Sequence, residues 1–179
     1  MLSLILLILL LFTLIAHNSF LQEISTLVLN STAIGANGDI STTLFYQNYA
    51  YLGLSSATPG MILQIDKSSF TVKSTLSFQT GQDLVSTGFV YKNFGYFGCD
   101  PKSGNGVVVI VDLVNFNAVG TVVLASNEVH ISTSFTYLTN GYFINSPVIS
   151  DSSIVQIDLT SNVRIGSVTL PGIYNGFSV

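Results

Sequence analysis

The sequence predicts an all-β protein built from a repeated unit, and three observations carry this prediction. The 179 residues are 48% hydrophobic and only 8% charged, with 8 Tyr and 12 Phe, and these aromatic residues together with Val, Ile and Thr suit pleated, half-buried strands. Gly, Asn and Ser separate short apolar runs and supply turns. Beyond the first apolar segment, no stretch has the 3.6-residue periodicity of an amphipathic helix.

A period of 46 residues runs through the chain and indicates a repeat architecture. Similar hydrophobic runs end at Asp66, Asp112 and Asp158, which are 46 residues apart in both intervals. Other positions recur with a spacing of 45 or 46 residues: Tyr51, Tyr96 and Tyr142; Ser74, Gly120 and Gly166; and Phe89 and Phe135, whose counterpart in the first unit is Leu44. Because several independent markers share one period, the repeat extends over the whole unit.

Each unit contains four strand-like runs separated by turn residues. In the middle unit the runs span residues 84–91, 95–99, 106–112 and 118–124. Four short antiparallel strands in about 46 residues are typical of a β-propeller blade. The sequence therefore predicts a partial β-propeller of three blades, at about 39–78, 83–124 and 128–170. The repeated tyrosines are expected to fill the space between blades.

The N-terminal segment predicts entry into the secretory pathway. Residues 2–16 are uncharged and mostly apolar, which suits the hydrophobic region of a signal peptide and falls short of the roughly 20 residues of a membrane span. Ala16 fits position −1 or −3 of a cleavage site, so we predict a signal peptide over 1–18 and a propeller domain over 19–179. The expected protein is secreted, with no membrane contact after cleavage. Because no Lys or Arg precedes the apolar run, an N-terminal membrane anchor is the alternative.

The predicted blades form an incomplete ring. Residues 24–29 match residues 73–78, the last strand of the first unit, and predict an orphan strand without its own blade. Propellers usually have 4–8 blades, and repeat arrays need polar units at their ends. The last blade instead carries apolar residues: Ile154, Val155, Ile157, Val168 and Leu170. Two open faces would favour self-association. The chain is interpreted as a fragment of a longer product, with half of an oligomeric ring or an unstably secreted chain as alternatives.

The repeated aspartates have a structural interpretation. Asp66, Asp112 and Asp158 each end a strand before a tight turn, where a carboxylate accepts backbone N–H groups. Three equivalent carboxylates also suggest metal ligands, but they would be spread around the outer rim, so the turn role is favoured over metal binding.

Two single residues bear on secretion and redox state. Asn30 begins the sequon Asn-Ser-Thr and is a candidate for N-glycosylation. Cys99 is the only cysteine, which excludes an internal disulfide. Its place on an apolar strand predicts a buried thiol, whereas an exposed thiol would permit pairing with another chain.

Four polar residues are the candidates for a functional site. The sequence contains no nucleophile, metal-protease or phosphate-loop motif. Asp39, Asp83, Glu128 and His130 precede the first strands of the units, and the starts of these strands converge near a propeller axis. Together they could bind a divalent cation at one mouth of a channel. The favoured interpretation is that they cap turns or face water, so no metal and no cofactor is predicted.

The hairpins resemble YVTN-like and related extracellular β-propeller repeats. The resemblance is carried by residues 108–112 (Val-Val-Ile-Val-Asp) and 118–122 (Ala-Val-Gly-Thr-Val), with similar runs at 62–66 and 154–158. It covers about residues 24–170 and is specific for the repeat type. It implies little about activity, since such repeats serve binding, adhesion and enzymatic roles.

Two functional hypotheses follow. The first is a secreted or cell-surface repeat module that binds a protein or a glycan, as in adhesion, and that has no catalytic activity. The second is a metal-dependent propeller hydrolase or lyase acting on a small extracellular substrate. Nucleic-acid binding is excluded, because five Lys and Arg against nine Asp and Glu give a net charge of −4 and leave no basic patch for phosphates.

Overall fold

Twelve strands form three four-stranded antiparallel sheets in the computed structural model, which describes residues 39–146 and 151–170. Within these ranges there is no α-helix, and hence none long and apolar enough to cross a membrane. The predicted all-β class and the three four-stranded units are therefore confirmed. The predicted signal peptide, the orphan strand, Asn30 and residues 171–179 lie outside the described residues.

Each sheet takes its four strands consecutively from the chain and is one blade. Blade 1 consists of β1 (Ile40–Tyr46), β2 (Tyr49–Leu54), β3 (Met61–Asp66) and β4 (Thr71–Ser77). Blade 2 consists of β5 (Val85–Tyr91), β6 (Phe94–Cys99), β7 (Val107–Asp112) and β8 (Asn117–Val123). Blade 3 consists of β9 (Ile131–Tyr137), β10 (Asn140–Asn145), β11 (Ser152–Asp158) and β12 (Val163–Leu170). The strands of blade 2 begin and end within one residue of their predicted positions.

The first strands of the three blades lie side by side. The Ser41 hydroxyl on β1 donates a hydrogen bond to the Val85 carbonyl oxygen on β5. The hydroxyls of Thr87 on β5 and Ser134 on β9 are 2.9 Å apart. Both pairs join equivalent parts of neighbouring strands, so the three strands run in the same direction. This is the arrangement of blades around a propeller axis.

A β-bulge recurs at the same place in every blade. The register between the third and fourth strands shifts at Gln64/Ile65, at Ile110/Val111 and at Gln156/Ile157. A bulge bends its strand and increases the local twist. Because the bulges recur at equivalent repeat positions, the sequence period corresponds to a period in backbone shape.

Two layers of core side chains lie between neighbouring blades, and a third buried cluster lies on the far side of blade 1. The layer between blades 1 and 2 includes Tyr51, Ile62, Phe97, Val109 and Leu113. The layer between blades 2 and 3 includes Phe89, Tyr96, Ile110, Phe143 and Ile157. Blade 2 therefore packs both of its faces against a neighbouring blade, whereas blades 1 and 3 each pack one.

The two end faces of the array differ, which corrects the prediction of two open faces. The blade 1 end face, on the side away from blade 2, consists of Ala50, Leu52, Leu54, Leu63 and Ile65. All five residues are at most 8% exposed. Partly buried side chains pack against them: Ala57, Met61, Phe70 and Val72. This end face is therefore buried, not open.

The blade 3 end face, on the side away from blade 2, consists of Phe135, Tyr142, Ile144, Ile154 and Val168. All of these residues are half-buried or exposed. The sequence prediction also assigned Val155 and Ile157 to the end of the array. Successive side chains of a strand point to opposite faces, so these two point towards blade 2 and are fully buried.

Candidate functional site

The turn aspartates close the hairpin between the third and fourth strands of every blade. Oδ1 of each accepts the N–H group two residues further along, at 2.8 Å: Asp66 from Ser68, Asp112 from Val114 and Asp158 from Thr160. Hydrogen bonds to the charged form lower the pKa of a carboxyl group. The pKa of each aspartate is lowered, chiefly by the Ser68 hydroxyl for Asp66, the Asn115 side chain for Asp112 and the Thr160 N–H for Asp158. Each carboxylate therefore accepts hydrogen bonds from its own hairpin turn.

Two of the repeated tyrosines join neighbouring blades through their hydroxyl groups. Tyr51 of blade 1 donates to the Leu113 carbonyl oxygen of blade 2 at 2.8 Å. Tyr96 of blade 2 donates to Oδ1 of Asn162 in blade 3 at 2.7 Å and lies 3.5 Å from the Leu159 carbonyl oxygen. Leu113 and Leu159 each follow a turn aspartate, so both tyrosines reach the same turn of the next blade. Burial raises the pKa of Tyr96 to about 12.

The linker between blades 1 and 2 is held by Gln82. Its Oε1 accepts the Gln79 N–H at 3.0 Å, and its Nε2 donates to the Thr121 hydroxyl on β8 at 2.8 Å. The side chain thus closes its own loop and reaches the outermost strand of the next blade.

The linker between blades 2 and 3 is held by Glu128, the repeat equivalent of Gln82. Its Oε2 accepts the Ala125 N–H at 2.8 Å, and its two oxygens accept from the Arg164 guanidinium on β12, with Nε at 2.7 Å. The Glu128 carboxylate is fully buried. Burial by itself raises the pKa of Glu128, but the Arg164 and Ala125 donors outweigh burial, and the pKa lies below its ordinary value.

The remaining sequence candidates make different contacts. Asp39 is exposed, and its carbonyl oxygen accepts the Ser55 N–H at 2.9 Å. Asp83 is buried, and its Oδ1 has no hydrogen-bond partner among the described residues. The ring Nδ1 of His130 lies 2.9 Å from Oδ2 of Asp100, and the His130 backbone N–H donates to Oδ1 of the same carboxylate at 3.0 Å.

Among the described residues, no hydrogen bond or ion pair joins Asp39, Asp83, Glu128 and His130 to one another. Within residues 39–146 and 151–170, no group of three or more His, Cys, Asp or Glu residues is placed to hold a metal ion. The physical reason is visible at Glu128, whose side chain points outward to β12 and is neutralised by Arg164. A joint role of these four residues at a channel mouth therefore stays a prediction.

Cys99 is buried at the end of β6, at the contact between blades. Burial, followed by the charges of Asp83 and Asp100, raises the pKa of its thiol. A protonated, buried thiol is poorly reactive.

An aromatic surface at the tips of the first hairpins was missed by the sequence reasoning. Tyr46, Tyr91 and Tyr137 end the first strands of the three blades. Phe45 and Leu138 flank them, and Phe45, Tyr137 and Leu138 are 64%, 65% and 72% exposed. We call these five residues the hairpin-tip surface. Since the first strands lie side by side and run in the same direction, the three tips share one end of the blades.

The hairpin tips have a common backbone conformation. The residues that follow the tip tyrosines, Gln47, Lys92 and Leu138, have positive φ values of 49°, 56° and 55°, as two-residue hairpin turns require. The Lys92 ammonium lies 5.2 Å from the centre of the Tyr91 ring. The signal for this surface was present in the sequence, because Tyr46, Tyr91 and Tyr137 recur with spacings of 45 and 46 residues. Periodicity alone does not distinguish an exposed tyrosine from a packing tyrosine.

Several solved structures are similar to this chain in fold. The chain is similar to Kuenenia stuttgartiensis hydrazine synthase (TM-score 0.65, 12% identity), covering 74% of this chain and 37% of that one. It is similar to the WD40 repeats of RRP9 (TM-score 0.58, 9% identity), covering 75% and 39%. It is also similar to the computationally designed Ika4 protein (TM-score 0.55, 15% identity), covering 77% and 76%. The chain therefore spans less than half of the two natural chains.

These likenesses define the class of protein. WD40 repeats form propeller blades of four strands, and the described residues form three four-stranded blades, so the chain has a β-propeller-like repeat fold. At such low identities the comparison shows the fold alone. No family model matches the chain, and no curated protein matches it in sequence.

Proposed function

We propose that this chain is a secreted, YVTN-type β-propeller repeat module that binds a protein or glycan ligand and has no catalytic activity of its own. The observation that carries the proposal is the hairpin-tip surface. Phe45, Tyr137 and Leu138 are exposed and uncharged, and Tyr46 and Tyr91 lie beside them, partly buried against the core, at the same end of three packed blades. The N-terminal apolar segment and the sequon at Asn30 support secretion.

The chemistry of the hairpin tips suits binding. Aromatic residues are enriched at protein interfaces, because they bury a large apolar area and a tyrosine adds a hydroxyl for a directed hydrogen bond. The same ring faces suit the apolar faces of sugar rings. Tight turns on packed strands hold these side chains with little loss of conformational entropy on binding. The repeated polar residues elsewhere, by contrast, are engaged within the fold.

The test compares binding by two triple variants of the secreted chain. The tip variant carries Phe45→Ser, Tyr137→Ser and Leu138→Asn, the last because asparagine tolerates a positive φ. The control carries Val119→Ser, Val123→Ser and Val163→Ser, three exposed positions on outermost strands. The probes are an immobilised panel of neutral and acidic oligosaccharides and a panel of extracellular matrix proteins. We expect the control to keep the affinity of the wild type and the tip variant to lose at least about tenfold, since each apolar anchor contributes more than about 1 kcal/mol.

Two results would contradict the proposal. A ligand bound equally by the tip variant would place the binding surface elsewhere. An absence of binding to both panels by a folded wild-type chain would argue against a binding module of this kind.

A further inference from the structure

The open end face of blade 3 is the repeat equivalent of the face of blade 2 that packs against blade 3. The rings of Phe89 and Tyr96 on blade 2 are stacked at 5.2 Å with an interplanar angle of 15°, and blade 3 covers them. The rings of Phe135 and Tyr142 on blade 3 are stacked at 4.9 Å with the same angle. Phe135 and Tyr142 thus have the geometry of Phe89 and Tyr96, but no following blade packs against them among the described residues.

The exposure of equivalent residues shows how much surface this face leaves open. Phe89 is 7% exposed and Phe135 is 47% exposed; Val122 is 6% exposed and its equivalent Val168 is 66% exposed. The hydroxyls of Tyr51 and Tyr96 bond to the next blade, whereas among the described residues that of Tyr142 has no hydrogen-bond partner. Contiguous exposed apolar patches of this kind mark interaction sites.

The charge pattern of the face favours a second copy of the same surface. Its residues, Phe135, Tyr142, Ile144, Ile154 and Val168, are uncharged, and Gln156 between them is neutral. Asp158 stands at the edge, where the Thr160 N–H group holds its carboxylate. Two such faces therefore meet without like-charge repulsion, although the chain as a whole carries a net charge of −4.

The difference between the two ends of the array determines the type of assembly. Rings and filaments join one patch to a different patch, whereas a two-fold dimer joins a patch to itself. A ring of two copies would need the blade 1 end face, but all five of its residues are at most 8% exposed. Only the blade 3 end face is open in the described part of the chain.

We propose that this chain forms a two-fold dimer in which the blade 3 end faces of two copies pack against each other. Stacked sheets pack face to face at about 10 Å with strand directions within about 30°, and the two copies of blade 3 would pack in this way. The inference does not depend on which ligand the hairpin tips bind, although the two surfaces adjoin, because Tyr137 lies on the same side of β9 as Phe135. It replaces the half ring that the sequence suggested with a closed dimer.

The experiment measures molar mass by light scattering over a concentration series, with reducing agent present. The full chain is produced through a secretory route, and its single-chain mass is measured by mass spectrometry. The wild type is expected at twice the single-chain mass. Val168→Glu would bury an unpaired charge at the dimer contact and is expected to raise the dissociation constant at least about 100-fold. The control is Val123→Glu, which places the same charge on β8 at a residue of similar exposure, 59%, and is expected to remain dimeric.

Each other outcome overturns the proposal. A monomeric wild type would show that the face does not dimerise, and a higher oligomer would show that another face also takes part. A dimer that persists in Val168→Glu, or that is lost in Val123→Glu as well, would place the contact elsewhere. If circular dichroism shows that Val168→Glu is unfolded, Phe135→Glu on β9 is measured by light scattering in its place, and the same outcomes support or overturn the dimer.

Discussion

The face of blade 2 that meets blade 3 and the end face of blade 3 are built from equivalent residues in equivalent strands, yet one is core and the other is surface. Phe89 and Tyr96 stack as Phe135 and Tyr142 do. Only the first pair is covered, and only Tyr96 finds a hydrogen-bond partner in a following blade. The comparison shows that the burial of these residues depends on whether another blade packs against them and not on their residue type. Equivalent substitutions in the two blades should therefore have different costs.

The largest expected difference concerns the two tyrosines. Tyr96→Ala removes a fully buried ring and should lower the free energy of unfolding by about 3–5 kcal/mol. Tyr142→Ala removes a half-buried ring and should cost about 1 kcal/mol or less. Urea unfolding of both variants in the Val168→Glu background, which we expect to be monomeric, gives the comparison. Equal losses would mean that blade 3 does not cover blade 2 as described.

The next largest effect concerns the ion pair that holds blade 3 against the linker of blade 2. Arg164→Ala leaves the buried Glu128 carboxylate without its cation and should cost about 3 kcal/mol. Adding Glu128→Gln reproduces the blade 1 to blade 2 linker, which has Gln82 and, in the place of Arg164, Ala118. The double variant should recover about 1–2 kcal/mol of the loss. A double variant less stable than Arg164→Ala in urea unfolding would contradict this account of the Glu128–Arg164 ion pair.

A smaller effect is expected to be the same in both blades. Asp112→Ala and Asp158→Ala each remove a carboxylate that holds its own hairpin turn, and each should cost about 1 kcal/mol. Because the contacts are local, the neighbouring blade should not matter, and the two losses should agree within about 0.5 kcal/mol. The measurement is the urea midpoint at pH 7, with Asp112→Asn as the conservative variant that keeps one acceptor oxygen. A much larger loss at Asp112 would show that its turn also supports the contact with blade 1.

The smallest effect is the response to acid. The pKa values of Asp66, Asp112, Asp158 and Glu128 are lowered in the folded chain. A lowered folded-state pKa contributes stability that is complete above the unfolded-state pKa and is lost as pH falls through the folded-state value. The urea midpoint should therefore be constant near neutrality and decrease below about pH 4.3, the ordinary pKa of a glutamate. Glu128→Gln should weaken this decrease, whereas a steeper decrease in that variant would contradict the assignment.

The four candidate site residues show the limit of what the sequence could predict. The strands of blade 2 were placed within one residue, because apolar alternation and turn residues are properties of short segments. Glu128 was placed correctly in a linker, but its partner Arg164 lies 36 residues away on another blade. No local pattern identifies that partner, so the carboxylate was grouped with His130 and Asp83. The hairpin-tip tyrosines were equally periodic, and only the structure shows that Tyr137 is exposed, that Tyr46 and Tyr91 are partly buried, and that Tyr51 and Tyr96 are fully buried.

By itself the sequence determined the repeat, the all-β class, the number of four-stranded blades and the turns that close them. These features depend on contacts within a unit of about 46 residues, and the pattern that predicts them occurs three times in the sequence. The tertiary structure decided which faces are buried, which tyrosine hydroxyls find partners, and that one end of the array is buried while the other is open. These properties depend on which blade lies beside which. Identical periodic positions acquire different surroundings once the blades pack, because hydrophobic burial is set by neighbours in space and not by neighbours in the chain.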